Sequence, residues 1–248
     1  MLGKWVLRGV SVVLLLVGWE ILARLRGGLL LPPFSRTLIA WVDIVLSGDL
    51  LRALVVSNQA MVLGFILATL AGVPLGLLMG RVQAIEKFTN VYLNLLLVTP
   101  MSAIMPLLMI ALGIGLTTRV VVVFLFAIVI IVVNTRAGIK GIDPALIEMA
   151  RSFGAKEIQL WRKVFLPGSL PAIIAGIRMG LGRSITGMVV VELLLVAVGL
   201  GRLLLFHSGN FASDYVFAVI FSILAEAVIL MNLAQGLEKR LLSWRPER

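Results

Sequence analysis

The chain has 248 residues, 60% of them apolar and only 14% charged, with a mean hydropathy of +1.11 and a formal net charge of +10. Soluble domains carry about 25% charged residues, so this composition excludes an ordinary soluble fold and points to a membrane protein. No cysteine is present, which excludes disulfides, thiolate metal sites and cysteine nucleophiles, and the basic residues lack the interleaved aromatics of a nucleic-acid surface.

Trp5 to Leu25 is the first predicted span, interrupted by Arg8, Glu20 and Arg24. Glu20 and Arg24, four apart, are placed to pair near a membrane surface. The stretch Gly18-Trp19-Glu20-Ile21-Leu22 offers no small-x-small cleavage site, so the segment reads as an uncleaved helix. Pro32-Pro33 stops it, and Ser35 is placed to cap a short helix over Thr37 to Leu46 that lies at the membrane interface around Trp41. Gly48-Asp49 ends that helix.

Ala53 to Gly80 contains no charged residue and is long enough to cross a hydrocarbon core, which takes roughly 20 residues. Gly64, Ala68, Gly72, Gly76 and Gly80 recur every four positions, and such a small-residue stripe lets helix backbones approach closely in lipid. Pro74 is expected to bend this helix, with Asn58 and Gln59 near its start at the interface. Phe88 to Thr118 is also free of charge, but Pro100 and Pro106 interrupt it. Broken helices persist in membranes where protein or water satisfies the freed backbone, so this segment is expected to border a translocation path. Gly113-Ile114-Gly115 is the turn that follows. Val120 to Thr135 is the fourth span, with Asn134-Thr135 at its end either as a gate or as an ordinary polar helix end.

Asp143 is placed to cap a helix with Pro144 at its first position, and Gly154 to end it. Ile158, Trp161 and Phe165 share one face of a second short helix, which Leu166-Pro167 is expected to break. Ser184 to Gly201 and Tyr215 to Leu237 are the fifth and sixth spans, containing the single acids Glu192 and Glu226. Inserting a charge at such a depth costs about 2.5–3.5 kcal/mol on insertion scales, so each acid faces protein or water. Either lines a pathway or gate, or hydrogen-bonds between helices. His207, the one histidine, reads as an outer-loop residue, and Ser213-Asp214 as a helix cap.

Six spans place both termini on one side. Counted that way, 16 Lys and Arg fall on the side holding the termini and the 136–183 segment, against 6 (Arg24, Arg26, Arg36, Arg52, Arg119 and Arg202) on the other. Positive residues favour the cytoplasmic side, so the termini and the large loop are expected there. No Gly-x4-Gly-Lys-Ser/Thr loop occurs, so any ATP is handled by another polypeptide.

Glu148, Ala150, Gly154, Leu166 and Pro167 carry a specific resemblance. Their spacing is similar to the EAA loop of permease subunits of bacterial ABC importers, with Met149 and Val164 as two apolar departures. Leu31-Pro32-Pro33-Phe34-Ser35, Thr99-Pro100, Met105-Pro106-Leu107, Asn134-Thr135 and Gly199-Leu200-Gly201 resemble the nitrate, taurine and sulfonate branch of that family. The resemblance implies an all-α membrane protein with six transmembrane helices, the type I ABC importer permease fold. Residues 1–248 would form one transmembrane permease domain, with 143–167 as a cytosolic two-helix coupling loop. It implies a homodimer in the inner membrane, two ATP-binding-cassette subunits that hold ATP and Mg, and an extracytoplasmic solute-binding protein. This chain itself would bind no cofactor, hold no metal and catalyse nothing. Glu148, Ala150, Arg151, Gly154, Ala155, Leu166 and Pro167 would couple to the ATPase, while Pro100, Pro106, Asn134 and Glu192 are the pathway or gate candidates. The solute would be a small anion such as nitrate, taurine or a sulfonate, or a small heterocycle. The alternative is a self-sufficient ion-coupled secondary transporter, which the absence of a visible inverted repeat disfavours; a membrane enzyme lacks any cluster of catalytic side chains.

Overall fold

The computed structural model describes residues 2–25 and 30–242, in which every regular element is helical. Arg26 and the basic segment from 243 onward, both used in the charge count, lie outside these residues, as do the side chains of Lys4 and Arg8. In chain order the helices are α1 (Leu2–Leu25), α2 (Phe34–Leu46), α3 (Asp49–Arg81), α4 (Gln83–Val98), α5 (Met101–Leu112), α6 (Leu116–Lys140), α7 (Pro144–Ser152), α8 (Glu157–Leu160), α9 (Leu166–Leu194), α10 (Gly199–Gly209) and α11 (Ser213–Leu241). Among the described residues four helices are long and apolar enough to cross a bilayer, and α4 with α5 counts as a fifth if that bent pair is one span. Contacts divide the chain into two compact units.

One unit comprises the chain up to Ser57 together with Ala197–Glu226. Its first anchor is the expected Glu20–Arg24 pair, at 2.7 Å. Ser35 does not cap α2, however: Pro33 occupies the cap position, and the Ser35 hydroxyl and N–H both donate to Glu20, at 2.9 and 3.1 Å. A carboxylate from α1 thus meets the positive end of α2, which supplies more charge than a serine could. Trp19 packs on Phe34, Phe217 and Phe221 with ring centroids 5.4–5.7 Å apart, and its indole N–H donates to the Pro32 carbonyl at 3.0 Å. Trp41 likewise donates to the Ser222 hydroxyl at 3.0 Å. His207 belongs to α10 and not to a loop; its ring stacks on Tyr215, whose hydroxyl donates to Asp43 at 2.8 Å. Burial pushes the imidazole below its ordinary value, against the opposing pull of Asp214 and Asp49.

The other unit comprises Asn58–Val196 and Ala227–Arg248, and α6 is its centre. The glycine stripe of α3 lies directly on α6: a methyl carbon added at Gly64, Gly72, Gly76 or Gly80 would sit 2.7, 3.0, 2.6 or 2.5 Å from Val123, Ile131, Thr135 or Ile139. Each partner number exceeds the glycine's by 59, so the two helices run parallel and in register. Ala68 fills the remaining place in the stripe, buried against Ala127 and Ile131. On the other side of α6, the glycines of α9 repeat the arrangement in the antiparallel sense, with Gly176, Gly180 and Gly187 against Asn134, Ile131 and Phe126. With no solvent-driven term between helices in lipid, this contact area supplies dispersion instead. Met79, Leu93, Val129 and Val132 close the adjoining layer with α4.

The break expected at Pro100 is present, the one expected at Pro106 is not, since α5 runs through it, and two span boundaries differ. The third span is two helices bent by 105°, because Thr99 and Pro100 are both extended and Pro100 starts a new helix. The fourth span runs on past Thr135 to Lys140. The fifth begins far earlier than Ser184: helix is continuous from Glu157 to Leu194, 38 residues, and ends before Gly199, whose φ of 56° opens α10. Arg178 and Arg183 interrupt the apolar run and so read as loop, yet both lie inside α9; Arg178 pairs with Glu238 at 3.1 Å. Arg119 similarly leaves the loop count, being buried within α6.

Candidate functional site

The 143–167 segment takes the form that its turn residues dictate. The Asp143 carboxylate accepts the Ala145 N–H at 2.9 Å and Pro144 occupies the first turn of α7. At the far end Gly154 has φ of 77°, the Gly154 N–H reaches the Arg151 carbonyl at 2.8 Å and the Ala155 N–H reaches the Ala150 carbonyl at 3.0 Å. This pair of bonds is a Schellman closure, and it requires the left-handed residue that glycine supplies. Ala150 and Ala155, which it brings together, pack with Ile147 on buried Ile139, Ile142, Leu160 and Phe165.

Leu166-Pro167 does not break the second helix. Residues Trp161–Phe165 form a π-helical turn, in which the Leu166 N–H reaches back to the Trp161 carbonyl, and α9 continues directly from it. Pro167 has no N–H to give and its ring crowds the preceding turn, so the wider π turn absorbs both defects without ending the helix.

Three charged anchors, none visible as a local pattern, fix this segment. Arg81, the last residue of α3, donates to Glu157 at 2.9 Å and lies 5.3 Å over the Phe165 ring. Arg151 of α7 reaches the same Glu157 at 3.5 Å. Beside them, Glu86 of α4 holds Lys140 and Arg136 of α6, and Arg136 also donates to Asn90 at 2.8 Å. Apart from Arg151 and Glu157, which are six positions apart, the partners lie 46 to 76 positions apart, beyond the reach of any periodicity argument.

The outer side of α7 is open. No residue of α7 is buried, and Leu146, Met149 and Phe153, at helical spacing, are exposed, with Phe153 86% exposed; Ile158 of α8 is 69% exposed. Glu148, Arg151, Leu166 and Pro167 are also exposed.

The pathway candidates fall in separate places. Pro100 stands at the 105° break, where Thr99 and Met101 line a cavity of about 170 Å³. Pro106 lies within α5, next to Met105, which is buried against Val122 and Val191. Asn134 lines a different cavity of about 480 Å³ with Gly138, Gly141, Pro167, Gly168 and Pro171, adjoining the 143–167 segment, and donates to the Ile130 carbonyl at 2.8 Å. Glu192 lines neither cavity. It is fully buried and faces Arg119, itself 7% exposed, at 3.4 Å. Among the described residues no three His, Asp or Glu side chains converge at metal-binding distance.

Comparison with known proteins places this architecture. Residues 72–243 match the family described as the inner membrane component of binding-protein-dependent transport systems. The chain is 31% identical over 245 residues to the taurine transport system permease protein TauC of Escherichia coli K12, covering 96% of this chain and 89% of that one. It is 30% identical over 229 residues to a putative aliphatic sulfonates transport permease protein of Bacillus subtilis, covering 92% and 83%. The fold is similar to a chain of the inward-facing MetNI methionine ABC transporter, with a TM-score of 0.60 at 22% identity over 82% of this chain and 96% of that one.

Proposed function

Because this chain belongs to the inner membrane components of binding-protein-dependent transport systems and is a permease subunit of the ABC-importer type, we propose that residues 143–167 are its coupling loop to a separate ATPase. The observation that carries this is the strip of Leu146, Met149 and Phe153, large apolar side chains displayed on a helix whose ends are closed and whose back is clamped. Full burial of such a side chain contributes about 1.5–3 kcal/mol, so three of them make a credible anchor in a groove. Arg151, Lys156, Arg162 and Lys163 are exposed on the same segment and suit an acidic rim on the partner.

In this reading the full chain, 1–248, is one permease domain with α1 as its sixth span, and two copies pair to enclose the path. Two ATPase subunits and an extracytoplasmic solute-binding protein complete the assembly, with ATP and Mg held by the ATPases. Both termini and the coupling loop face the cytoplasm; moving Arg178 and Arg183 into α9, and Arg119 into α6, leaves the excess of positive charge on that side. Closure of the ATPases displaces α7. Glu157, gripped by Arg81 and Arg151, passes the displacement into α3 and into the helix that continues as α9. Pro100, Pro106, Asn134 and Glu192 are assigned to the moving pathway region. The solute is a small sulfonated anion, by analogy with the two named relatives.

The test is Phe153→Asp in the assembled importer reconstituted in proteoliposomes. ATP-driven uptake should fall more than tenfold, and the ATPase should no longer co-purify with the permease, while membrane insertion persists. Unchanged uptake and co-purification would remove the coupling role.

A further inference from the structure

We propose that Arg183 is an anion-contacting residue on the translocation path, one that favours solutes carrying a sulfonate or similar oxyanion; this rests on the permease reading above. Arg183 lies in α9 between Gly180 and Gly187, which face Ile131 and Phe126 near the middle of the 25-residue α6. It is therefore at mid-depth of the spanning helices, 11 positions or about 16 Å from the end of α9 at Leu194. A charge at that depth is rare and faces a partner or a watered cavity.

Three other arginines inside the helices of this unit have a carboxylate: Arg119 has Glu192, Arg136 has Glu86 and Arg178 has Glu238. Among the described residues Arg183 has none within ion-pair distance, and its side chain is exposed. It lines instead the cavity of about 170 Å³ at the α4–α5 break, together with Leu97, Thr99, Met101, Phe126 and Ile130. A guanidinium and a threonine hydroxyl in an otherwise apolar wall form a contact for one small anion with a short apolar tail. The planar guanidinium fork matches two oxygens of a sulfonate. Exposure keeps the pairing weak enough for release, as conduction requires.

The absence of native cysteines makes Arg183→Cys a clean probe. The permease, its ATPase and its binding protein are reconstituted in vesicles of phosphatidylcholine alone, so that no anionic lipid competes, and uptake of ethanesulfonate is measured. Arg183→Cys should lower ATP-driven uptake at least tenfold while the complex still assembles with the ATPase. Modification with a 2-aminoethyl methanethiosulfonate, which restores a positive charge, should recover most of the loss; the neutral methyl reagent should recover none. Equal uptake by the wild type and Arg183→Cys would overturn the proposal, as would recovery with both reagents. ATP-driven uptake of riboflavin but not of ethanesulfonate by the wild type would overturn the anion assignment and leave the permease reading standing. Uptake independent of ATP would overturn the permease reading itself. If Arg183→Cys fails to assemble, Arg183→Lys serves: retained charge should retain more than a tenth of the uptake, and complete loss would count against a pairing role.

Discussion

The α3–α6–α9 layer and α7 belong to one unit, yet they place their large and small residues in opposite ways. In the layer, glycines of α3 and α9 press on branched side chains of α6, so the smallest residues mark the tightest contact. At α7 the inward residues are Ile147 and Ala150, with Ala155 beyond Gly154, while Leu146, Met149 and the large Phe153 point away from the protein. Apolar residues at helical spacing therefore carry two meanings. Where glycine sits opposite, the partner is already in the chain; Leu146, Met149 and Phe153 stand exposed, and they form the face proposed to dock on the ATPase.

Substitutions should separate these two meanings, beginning with the heaviest cost. Glu192→Ala leaves Arg119 buried without that carboxylate and should destabilise the subunit by about 3–5 kcal/mol, read as a lower midpoint in thermal unfolding of detergent-solubilised protein. Gly76→Leu drives a side chain into Thr135 and the Val132 carbonyl, for a loss of about 1–3 kcal/mol or more in the same assay. Gly154→Val forces a branched residue to φ of 77°, costing about 1–2 kcal/mol locally and shifting α7; uptake should drop further than the melting point suggests. Leu146→Asp should change stability by less than about 0.5 kcal/mol, yet abolish retention of the ATPase on the purified permease. A large drop in melting point for Leu146→Asp would erase the contrast, because it would make α7 part of the packed layer.

Much of this was readable along the chain. The four-residue stripe from Gly64 to Gly80 announced a close helix contact, and Asp143, Pro144 and Gly154 announced where α7 starts and stops, because caps and stripes are local chemistry. The break at Pro100 was legible for the same reason. What stayed hidden depends on residues far apart. Arg81 grips Glu157 and Arg119 meets Glu192 across 76 and 73 positions, and nothing in either neighbourhood marks the partner. Arg183 falls outside the expected fifth span because a charge ends a hydrophobic run, while the helix itself carries that charge into a cavity. Leu166-Pro167 misled in another way: the rule that proline ends a helix omits the π turn that can precede it.

That single π turn sets the angular phase of everything downstream. It inserts one residue beyond regular α geometry, and a residue turns a helix by about 100°. Removing one residue from Trp161–Phe165 would straighten the helix and swing Gly176, Gly180 and Gly187 off α6 together, carrying Arg183 away from its cavity in the same rotation. The rod from Glu157 to Leu194 thus behaves as a keyed shaft: its lower bearing and its upper teeth are cut to one another, and the spare residue is the key.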